Sequence, residues 1–180
     1  MDLIEHTYTI QWVGPMNYEE YKSYIRNQET LSSDLFNLYY FEARKDGRCN
    51  WSKYVGIHKQ NDGIDKRLNT SHEHLGPFIK EEAKHMRIWI GSFANVKDQK
   101  SENVDIVETL LIKAYPSLLN VKKKRSLPQD SICIINTYYN TSEGVVKKKS
   151  EKSSVFDDVL IYLEESKCFM HGNLTKMRGT

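Results

Sequence analysis

Two short β-rich segments separated by a polar turn are the feature that most restricts how this chain can fold. Residues 36–43 and 51–58 are rich in aromatic and β-branched side chains, which favour strands. Residues 44–48 lie between them and are polar, and they include Gly47, a residue type that is common in turns. The three segments together predict a β-hairpin.

Other strand patterns occur on both sides of the hairpin. Apolar residues alternate with more polar ones in residues 6–13, and β-rich stretches cover residues 87–93 and 132–139. Each of these segments predicts a strand. The apolar residues 155–162, with the neighbouring stretch up to Met170, fit a strand or a helix equally well.

Two helices are predicted clearly, and a third is short. Residues 17–28 have Asn at the start, acidic residues in the first turn and one apolar face. Residues 101–114 carry a broad apolar face, and Pro116 ends this helix. A short helix that bears Arg67 and Leu68 is predicted to start at Asp62 or Asp65. The resulting order, β-α-β-β-α-β-α-β, predicts an α/β fold with a small mixed sheet flanked by helices.

Length and composition indicate one ordinary globular domain over residues 1–180. The chain has 39% hydrophobic residues and 28% charged residues, so it can bury a core. No apolar run approaches the roughly 20 residues that cross a bilayer, and the N-terminus has no signal-like apolar core. The three cysteines are far apart and form no CxxC pair, which favours free thiols in the cytoplasm over a zinc site.

Positive charge is concentrated in residues 121–153. Eight basic residues stand there against three acidic ones, a net charge of +5 that leaves −3 for the rest of a chain whose total is +2. A basic patch of this kind suits a polyanion such as double-stranded DNA. The alternative is a solvated loop, and the stretch is also predicted to form a mobile hairpin or lid. The predicted DNA contacts are Lys122, Lys123, Lys124, Arg125, Lys147, Lys148 and Lys149.

Tyrosines stand at matching places on the two predicted hairpin strands. The first strand contains Leu38-Tyr39, and the second contains Tyr54-Val55-Gly56. The two tyrosines are fifteen positions apart, and the chain between them includes the polar turn, where additional residues cost little stability. A tyrosine in a strand is more often a packed aromatic side chain than a catalytic group, so this pair alone is a weak signal.

Three polar residues follow in a recognisable order. Arg67 comes after the hairpin, Glu108 lies on the predicted helix of residues 101–114, and Asn120 follows that helix beyond the turn at Pro116. Together with the two tyrosine motifs, this order resembles the signature of the GIY-YIG nucleases. The resemblance implies a GIY-YIG-like core over about residues 36–121, with an N-terminal addition (1–35) and a basic C-terminal addition (122–180).

The resemblance also implies a role for each of these residues. Tyr39 would be the general base, with its pKa depressed by the metal and by Arg67, and Tyr54 would assist it by hydrogen bonding. Arg67 would bind phosphate oxygens. Glu108 would be the only protein ligand of one Mg²⁺, with Mn²⁺ as a substitute. Asn120 would hold the glutamate or the backbone of the first hairpin strand in place.

The sequence departs from the family pattern at two positions. Asn37 stands where the family has a glycine, and Ser71 stands where the family often has a histidine or tyrosine. His72 is the favoured substitute for that second group, as a base or a phosphate contact. His74 and His58 are the alternatives, and any one of the three could equally be a surface histidine.

These features together predict a metal-dependent DNA endonuclease that is site-specific and restriction-like. A homodimer would suit this activity, because cutting both strands of a palindrome favours two-fold symmetry. Three alternatives stay open at this point. The chain could be a defence or mobile-element nuclease of loose specificity, a non-catalytic nucleic-acid-binding module that keeps the fold, or a protein-interaction domain.

Overall fold

A computed structural model describes residues 3–28, 37–59, 64–116, 118–120, 126–142, 145–148 and 155–174, with backbone alone for 140–142 and 145–148. The strands in these residues are β1 (His6–Met16), β2 (Asn37–Arg44), β3 (Ser52–His58), β4 (His85–Phe93), β5 (Ile132–Ser142), β6 (Val145–Lys148), β7 (Val159–Leu163) and β8 (Cys168–Gly172). The helices are α1 (Tyr18–Gln28), α2 (Gly76–Lys80) and α3 (Ser101–Ala114).

All eight strands belong to one sheet, in the order β3-β2-β4-β1-β5-β7-β8, with β6 paired to β5. Strands β1 and β5 are parallel, whereas β2 pairs with β3 and β4 in antiparallel fashion. The predicted hairpin and the mixed α/β class are therefore confirmed. The sheet was expected to be small, but it has eight strands. It is larger because β1 pairs with β4 on one side and with β5 on the other. The N-terminal strand thus lies inside the sheet and joins the hairpin to the C-terminal strands.

The two faces of the sheet carry separate cores, because successive side chains of a strand point to opposite faces. On one face, Leu38 and Tyr40 of β2 pack with the apolar residues of α3. On the other, Tyr39 and Phe41 pack with α1 and with residues around α2. Neighbouring residues of β2 therefore belong to different layers of the protein, and the face that carries Tyr39 is called the tyrosine face below.

Helices α1 and α3 begin and end close to their predicted limits. The Asn17 side chain accepts a hydrogen bond from Glu20 N (2.9 Å), and Glu20 accepts one from Asn17 N (2.8 Å), a reciprocal cap at the start of α1. The short helix expected near Arg67 is only a 3-10 turn, Ile64–Lys66, and Arg67 follows it. Asp62 lies outside the described residues. Helix α2 was not predicted, because five residues are too few to show a helical period.

The C-terminal part of the chain adds strands. The ambiguous apolar stretch forms β7 and β8, joined by a turn. Strand β6 pairs antiparallel with the end of β5, so part of the lysine-rich stretch is a hairpin as predicted. Of the predicted DNA contacts, Lys147 and Lys148 lie in β6 without described side chains, and the others lie outside the described residues: Lys122, Lys123, Lys124, Arg125 and Lys149.

Two further expectations concern the chain as a whole. Cys49, Cys133 and Cys168 are free thiols, as predicted, and two of them are exposed. Among the residues that the structure describes, no helix has the length and apolar character that a membrane span requires.

Candidate active site

The hairpin register brings the two motif tyrosines onto the tyrosine face. Tyr39 pairs with Gly56, and Phe41 pairs with Tyr54, so these four residues share one side of the sheet. The rings of Tyr39 and Tyr54 stack with centroids 6.1 Å apart and planes inclined by 22°. The spacing of the two motifs therefore produces a pair of adjacent phenols.

Gly56 leaves the space that Tyr39 occupies. A Cβ atom at this position would lie 2.4 Å from both Cζ and Oη of Tyr39, closer than any real contact. The glycine of the second motif is thus required by the close approach of a side chain. A larger residue would push the Tyr39 ring out of its place beside Tyr54.

Two groups from the segment after the hairpin meet at the Tyr39 hydroxyl. His72 Nε2 lies 3.0 Å from Tyr39 Oη, and Arg67 Nε donates to the same oxygen at 3.3 Å. Tyr39, Tyr54, Arg67 and His72 are therefore brought together as the sequence predicted, and they are called the tyrosine cluster below. The turn that carries His72 is held by Asn69, whose side chain accepts a hydrogen bond from Ser71 N (2.7 Å).

The hydrogen bonds of His72 fix its tautomer. Its Nδ1 accepts hydrogen bonds from the backbone N–H groups of His74 (3.2 Å) and Leu75 (3.1 Å). Burial, followed by the nearby charge of Arg67, lowers the pKa of His72 to about 4, so the ring is neutral at pH 7. A neutral ring with an unprotonated Nδ1 carries its proton on Nε2. His72 therefore donates to Tyr39 Oη and does not accept from it.

The Tyr39 hydroxyl is not poised to act as a base. Burial raises its pKa well above the ordinary tyrosine value, with a further contribution from Tyr54, and this outweighs the lowering effect of Arg67. Arg67 alone therefore does not lower the pKa of Tyr39 below its ordinary value, and the lowering expected from a metal stays a prediction. The side chain is also 0% exposed. Water or a phosphate cannot reach its oxygen in this arrangement.

Tyr54 and Arg67 form the outer layer of the cluster. Tyr54 is half-buried and Arg67 is exposed, whereas Tyr39 and His72 are buried beneath them. The rings of the two tyrosines stack, and the nearby Tyr54 adds to the raised pKa of Tyr39. Of the two phenols, Tyr54 is therefore the one nearer the surface.

The two other candidate histidines also lie beside this cluster. The His74 ring packs 4.9 Å from that of Tyr54. His58 is buried on β3 opposite Asn37, and the strand period puts both on the tyrosine face. Among the three histidines, His72 is the one that contacts the Tyr39 hydroxyl, and His74 lies nearer the surface.

Glu108 is buried on α3, which packs on the face opposite the tyrosine cluster. It is 5% exposed, which is unusual for a carboxylate. One turn earlier on α3, Asp105 pairs with Lys59, which directly follows β3. This ion pair holds the middle of α3 beside the end of β3. The apolar residues of α3 share a core with Leu38, Tyr40 and Val55.

Glu108 offers a single carboxylate to a metal ion. Among the described residues, no group of three or more His, Cys, Asp or Glu could form a protein cage for an ion. A single carboxylate is compatible with Mg²⁺, which keeps several waters and takes further oxygens from substrate phosphates. It does not fit Zn²⁺, which is held by three or four protein ligands.

Asn120 binds the second hairpin strand and not the first. Its Oδ1 accepts from Val55 N (3.1 Å), and its Nδ2 donates to Val55 O (2.6 Å). Next to it, Leu119 N donates to Lys53 O (2.7 Å). Strand β3 is an edge of the sheet, so Asn120 satisfies backbone groups that would otherwise be open. Its place in the structure is therefore that of a clamp on the β3 edge.

Asn120→Ala is expected to lower the free energy of unfolding by about 2 kcal/mol, because it leaves a partly buried N–H and C=O of Val55 without their partner. Chemical denaturation at pH 7 measures the change. Asn27→Ala, at an exposed position near the end of α1, is the control and should stay within about 0.5 kcal/mol of the wild type. Equal stability of Asn120→Ala and the wild type would show that the clamp is not structural.

His72 is expected to make the stability depend on pH. Its folded pKa, about 4, lies below the usual value of 6.5, so the unfolded chain binds the proton more readily and stability falls as pH drops from 6.5 towards 4. Between pH 7 and pH 5 the wild type should lose about 2 kcal/mol more than His72→Gln. Denaturation at both pH values measures this, with His6→Gln, an exposed histidine, as the control. The same loss in all three proteins would contradict the assignment.

Comparisons with protein-family models, with curated proteins and with solved structures found no match to this chain. The residues of the site therefore carry the functional interpretation. Sequence reasoning missed two of the contacts that build it, the Lys59–Asp105 ion pair and the backbone donors to His72 Nδ1. The ion pair could have been suspected from the position of Asp105, three residues before Glu108 on the same helix. The backbone donors to His72 depend on a turn that no sequence pattern predicts.

Proposed function

We propose that this chain is a metal-dependent endonuclease that hydrolyses phosphodiester bonds in double-stranded DNA, with a GIY-YIG-like core and a restriction-like, site-specific activity. The observation that carries the proposal is the convergence on one phenolic oxygen. Arg67 and His72, from the segment after the hairpin, both hydrogen-bond to Tyr39 Oη, and the ring of Tyr54 from β3 stacks on that of Tyr39. The free thiols are compatible with action in the cytoplasm.

We assign the role of general base to Tyr54 rather than to Tyr39. A base that removes a proton from water needs an oxygen that water can reach and whose anion is stabilised. Tyr54 is half-buried, and its phenolate would be stabilised by the charge of Arg67. Tyr39 and His72 would act as positioning residues, since their rings pack against that of Tyr54 and both are buried beneath it.

Two further residues, Arg67 and Glu108, are proposed to act through their charges. The exposed Arg67 has a planar guanidinium that suits two phosphate oxygens. The resemblance gives Glu108 the role of holding one Mg²⁺ or Mn²⁺, which when bound would stabilise the charge that develops on the phosphate. Because α3 packs across the sheet from the tyrosine cluster, this role requires the phosphate to reach Glu108 around the β3 edge. His74, beside Tyr54 near the surface, is placed to make a further phosphate contact.

The test is incubation of the protein with long, unmethylated DNA in the presence of Mg²⁺ or Mn²⁺. Discrete fragments that disappear when the metal is chelated would support a site-specific nuclease, and their ends would define its target. A smear that disappears in the same way would favour the loose-specificity nuclease. Intact DNA at every metal concentration would refute the proposed activity.

One observation favours a second candidate, a nucleic-acid-binding module that has no activity. The Tyr39 hydroxyl is fully enclosed, and its pKa is raised, so the residue at the position of the first motif cannot itself act as a base. This candidate predicts DNA that is shifted in a native gel and not cut with any divalent metal. A protein-interaction domain would neither shift nor cut the DNA.

A further inference from the structure

Side chains from three neighbouring strands form a polar and aromatic patch at the turn end of the β2–β3 hairpin. On β2 the patch continues the alternation that puts Tyr40 in the core under α3, so it lies on the α3 face of the sheet. Residues of β3 and β4 that pair directly with Glu42 and Arg44 share that face. The patch is called the Trp51 surface below, and its members are Glu42, Arg44, Trp51, Lys53, His85 and Arg87.

The Trp51 surface carries more positive than negative charge. Three of its residues are cationic and one is acidic, which leaves a net charge of +2 without any contribution from His85. The one carboxylate, Glu42, is held by Arg87 at 2.7 Å, and only 14% of its side chain is exposed. Among the described residues, no carboxylate forms an ion pair with Arg44 or Lys53. These two charges are therefore not neutralised within the described part of the protein.

Both arginines of the surface are fixed against the same aromatic ring. The Cζ atoms of Arg44 and Arg87 lie 5.2 and 5.0 Å from the centre of the Trp51 ring. Arg44 Nη2 also donates a hydrogen bond to His85 Nε2 at 3.3 Å, because arginine has no acceptor. Two like charges that share one ring repel each other, and a bound anion relieves this repulsion. The planar guanidinium groups suit phosphate oxygens, and because they are already held in place, little further side-chain freedom is lost on binding.

The position of the Trp51 surface relates it to both parts of the proposed active site. It lies on the face of the sheet where α3 packs, and Glu108 belongs to α3. Lys53 and Tyr54 are neighbours on the edge strand β3, and their side chains point to opposite faces. An anion at Lys53 is therefore one residue along the β3 edge from Tyr54 and on the same face of the sheet as Glu108.

The basic run that the sequence predicts to contact a polyanion follows a segment that is fixed to the same strand. Asn120 is clamped to Val55 of β3, and Leu119 N donates to the backbone oxygen of Lys53. Residues 122–125 are all basic and come directly after this segment in the sequence; they lie outside the described residues and are not part of the site. The chain thus continues from the β3 edge into four consecutive basic residues, which favours a ligand with many negative charges over a single small anion.

We propose that the Trp51 surface binds the phosphate backbone of double-stranded DNA, with Arg44 and Lys53 in direct contact with phosphate oxygens. The inference rests on the proposed function, since it takes DNA as the polyanion, but it assigns a binding site that contains none of the proposed catalytic residues. Contacts to phosphates position a duplex without reading its sequence. The surface would hold the duplex at the β3 edge, beside Tyr54.

The fluorescence of Trp51 tests directly whether DNA covers the surface. The chain has three tryptophans, of which Trp12 and Trp89 are 0% and 3% exposed, whereas Trp51 is half-buried. Acrylamide, a neutral quencher that leaves the salt concentration unchanged, should quench Trp51 in the free protein. Saturating duplex DNA, added without divalent metal, should protect it, and Trp51→Phe should lack the quenchable emission. Equal quenching of the free protein and of the DNA complex would overturn the proposal.

The salt dependence of DNA binding tests the charges of the surface without cleavage. Combining Arg44→Ala with Lys53→Ala should reduce the slope of log affinity against log salt by about 2 and weaken binding at least about tenfold at moderate salt. The charge-preserving pair, Arg44→Lys with Lys53→Arg, should keep the wild-type slope. Lys97→Ala should also keep it, because Lys97 is exposed beyond the other end of β4.

A slope of the double alanine variant within about 1 of the wild-type slope would show that the surface does not contact DNA. Thermal unfolding of the same variant checks that it is folded. The two proposals fail separately, because binding is measured without metal. Absence of cutting by the wild type refutes the endonuclease activity, whereas an unchanged slope refutes the Trp51 surface alone.

Discussion

Replacing Glu108 with alanine is expected to abolish DNA cleavage while the protein stays folded. The residue is the proposed ligand of Mg²⁺, and a metal ion contributes several kcal/mol of transition-state stabilisation, so the rate should fall at least about a thousandfold. Glu108 is 5% exposed, so its replacement by alanine leaves a small cavity under α3, and thermal unfolding checks that the variant stays folded.

Glu108→Gln is the matched variant for this experiment, because it keeps the shape of the side chain and removes only its charge. It should be as inactive as Glu108→Ala, and both should still shift DNA in a gel. Cleavage rates with Mg²⁺ and Mn²⁺, together with thermal unfolding followed by circular dichroism, give the two readouts. Cleavage by Glu108→Ala at the wild-type rate would show that the metal, if one is needed, is held elsewhere.

The sequence was sufficient to predict the elements that carry the site. The hairpin follows from two β-rich segments and a polar turn, and α3 follows from the apolar period of residues 101–114 and from Pro116. The strand period also puts Tyr39 and Tyr54 on one face once the hairpin register is known. These patterns depend only on residues that are close in the sequence. The hairpin and α3 that they predict are therefore found in the folded protein as well.

The burial of individual side chains and the pairing of strands that are distant in the sequence could not be predicted from such local patterns. Nothing in residues 6–13 indicates that β1 lies between β4 and β5, because the alternation that predicts a strand does not specify which strands it pairs with. The pKa of Tyr39 depends on its burial under Tyr54, which is a property of the assembled protein. The sequence therefore assigned the general base to Tyr39, whereas the burial of Tyr39 is the reason for proposing Tyr54 in that role.

Asn120 illustrates the same limit on a smaller scale. Its place after the Pro116 turn was read correctly as a position that fixes another part of the site, but its target was expected on the first hairpin strand or at Glu108. The target is Val55, because β3 and not β2 is the edge strand with open backbone groups. Which strand is the edge depends on the pairing of β2 with β4, between residues more than forty positions apart.

The two tyrosine-to-phenylalanine variants separate the roles of the stacked phenols. Tyr54→Phe removes the proposed base and should lower kcat at least about a hundredfold. Tyr39→Phe removes only the hydroxyl that His72 and Arg67 contact, so the loss should be about tenfold, the worth of one hydrogen bond that positions Arg67. Both variants keep their rings, and therefore the stacking at 6.1 Å and the packing over Gly56 should persist.

Single-turnover cleavage with saturating protein measures both rates without the contribution of product release. DNA affinity should change little in either variant, since Arg67 and the basic surfaces stay in place. If Tyr39→Phe were the more damaging of the two, the buried phenol would have to become accessible when DNA binds, and the base would be Tyr39. If neither variant slowed cleavage, the proton would be removed by another group, and His74, which packs against Tyr54 near the surface, would be the next residue to replace.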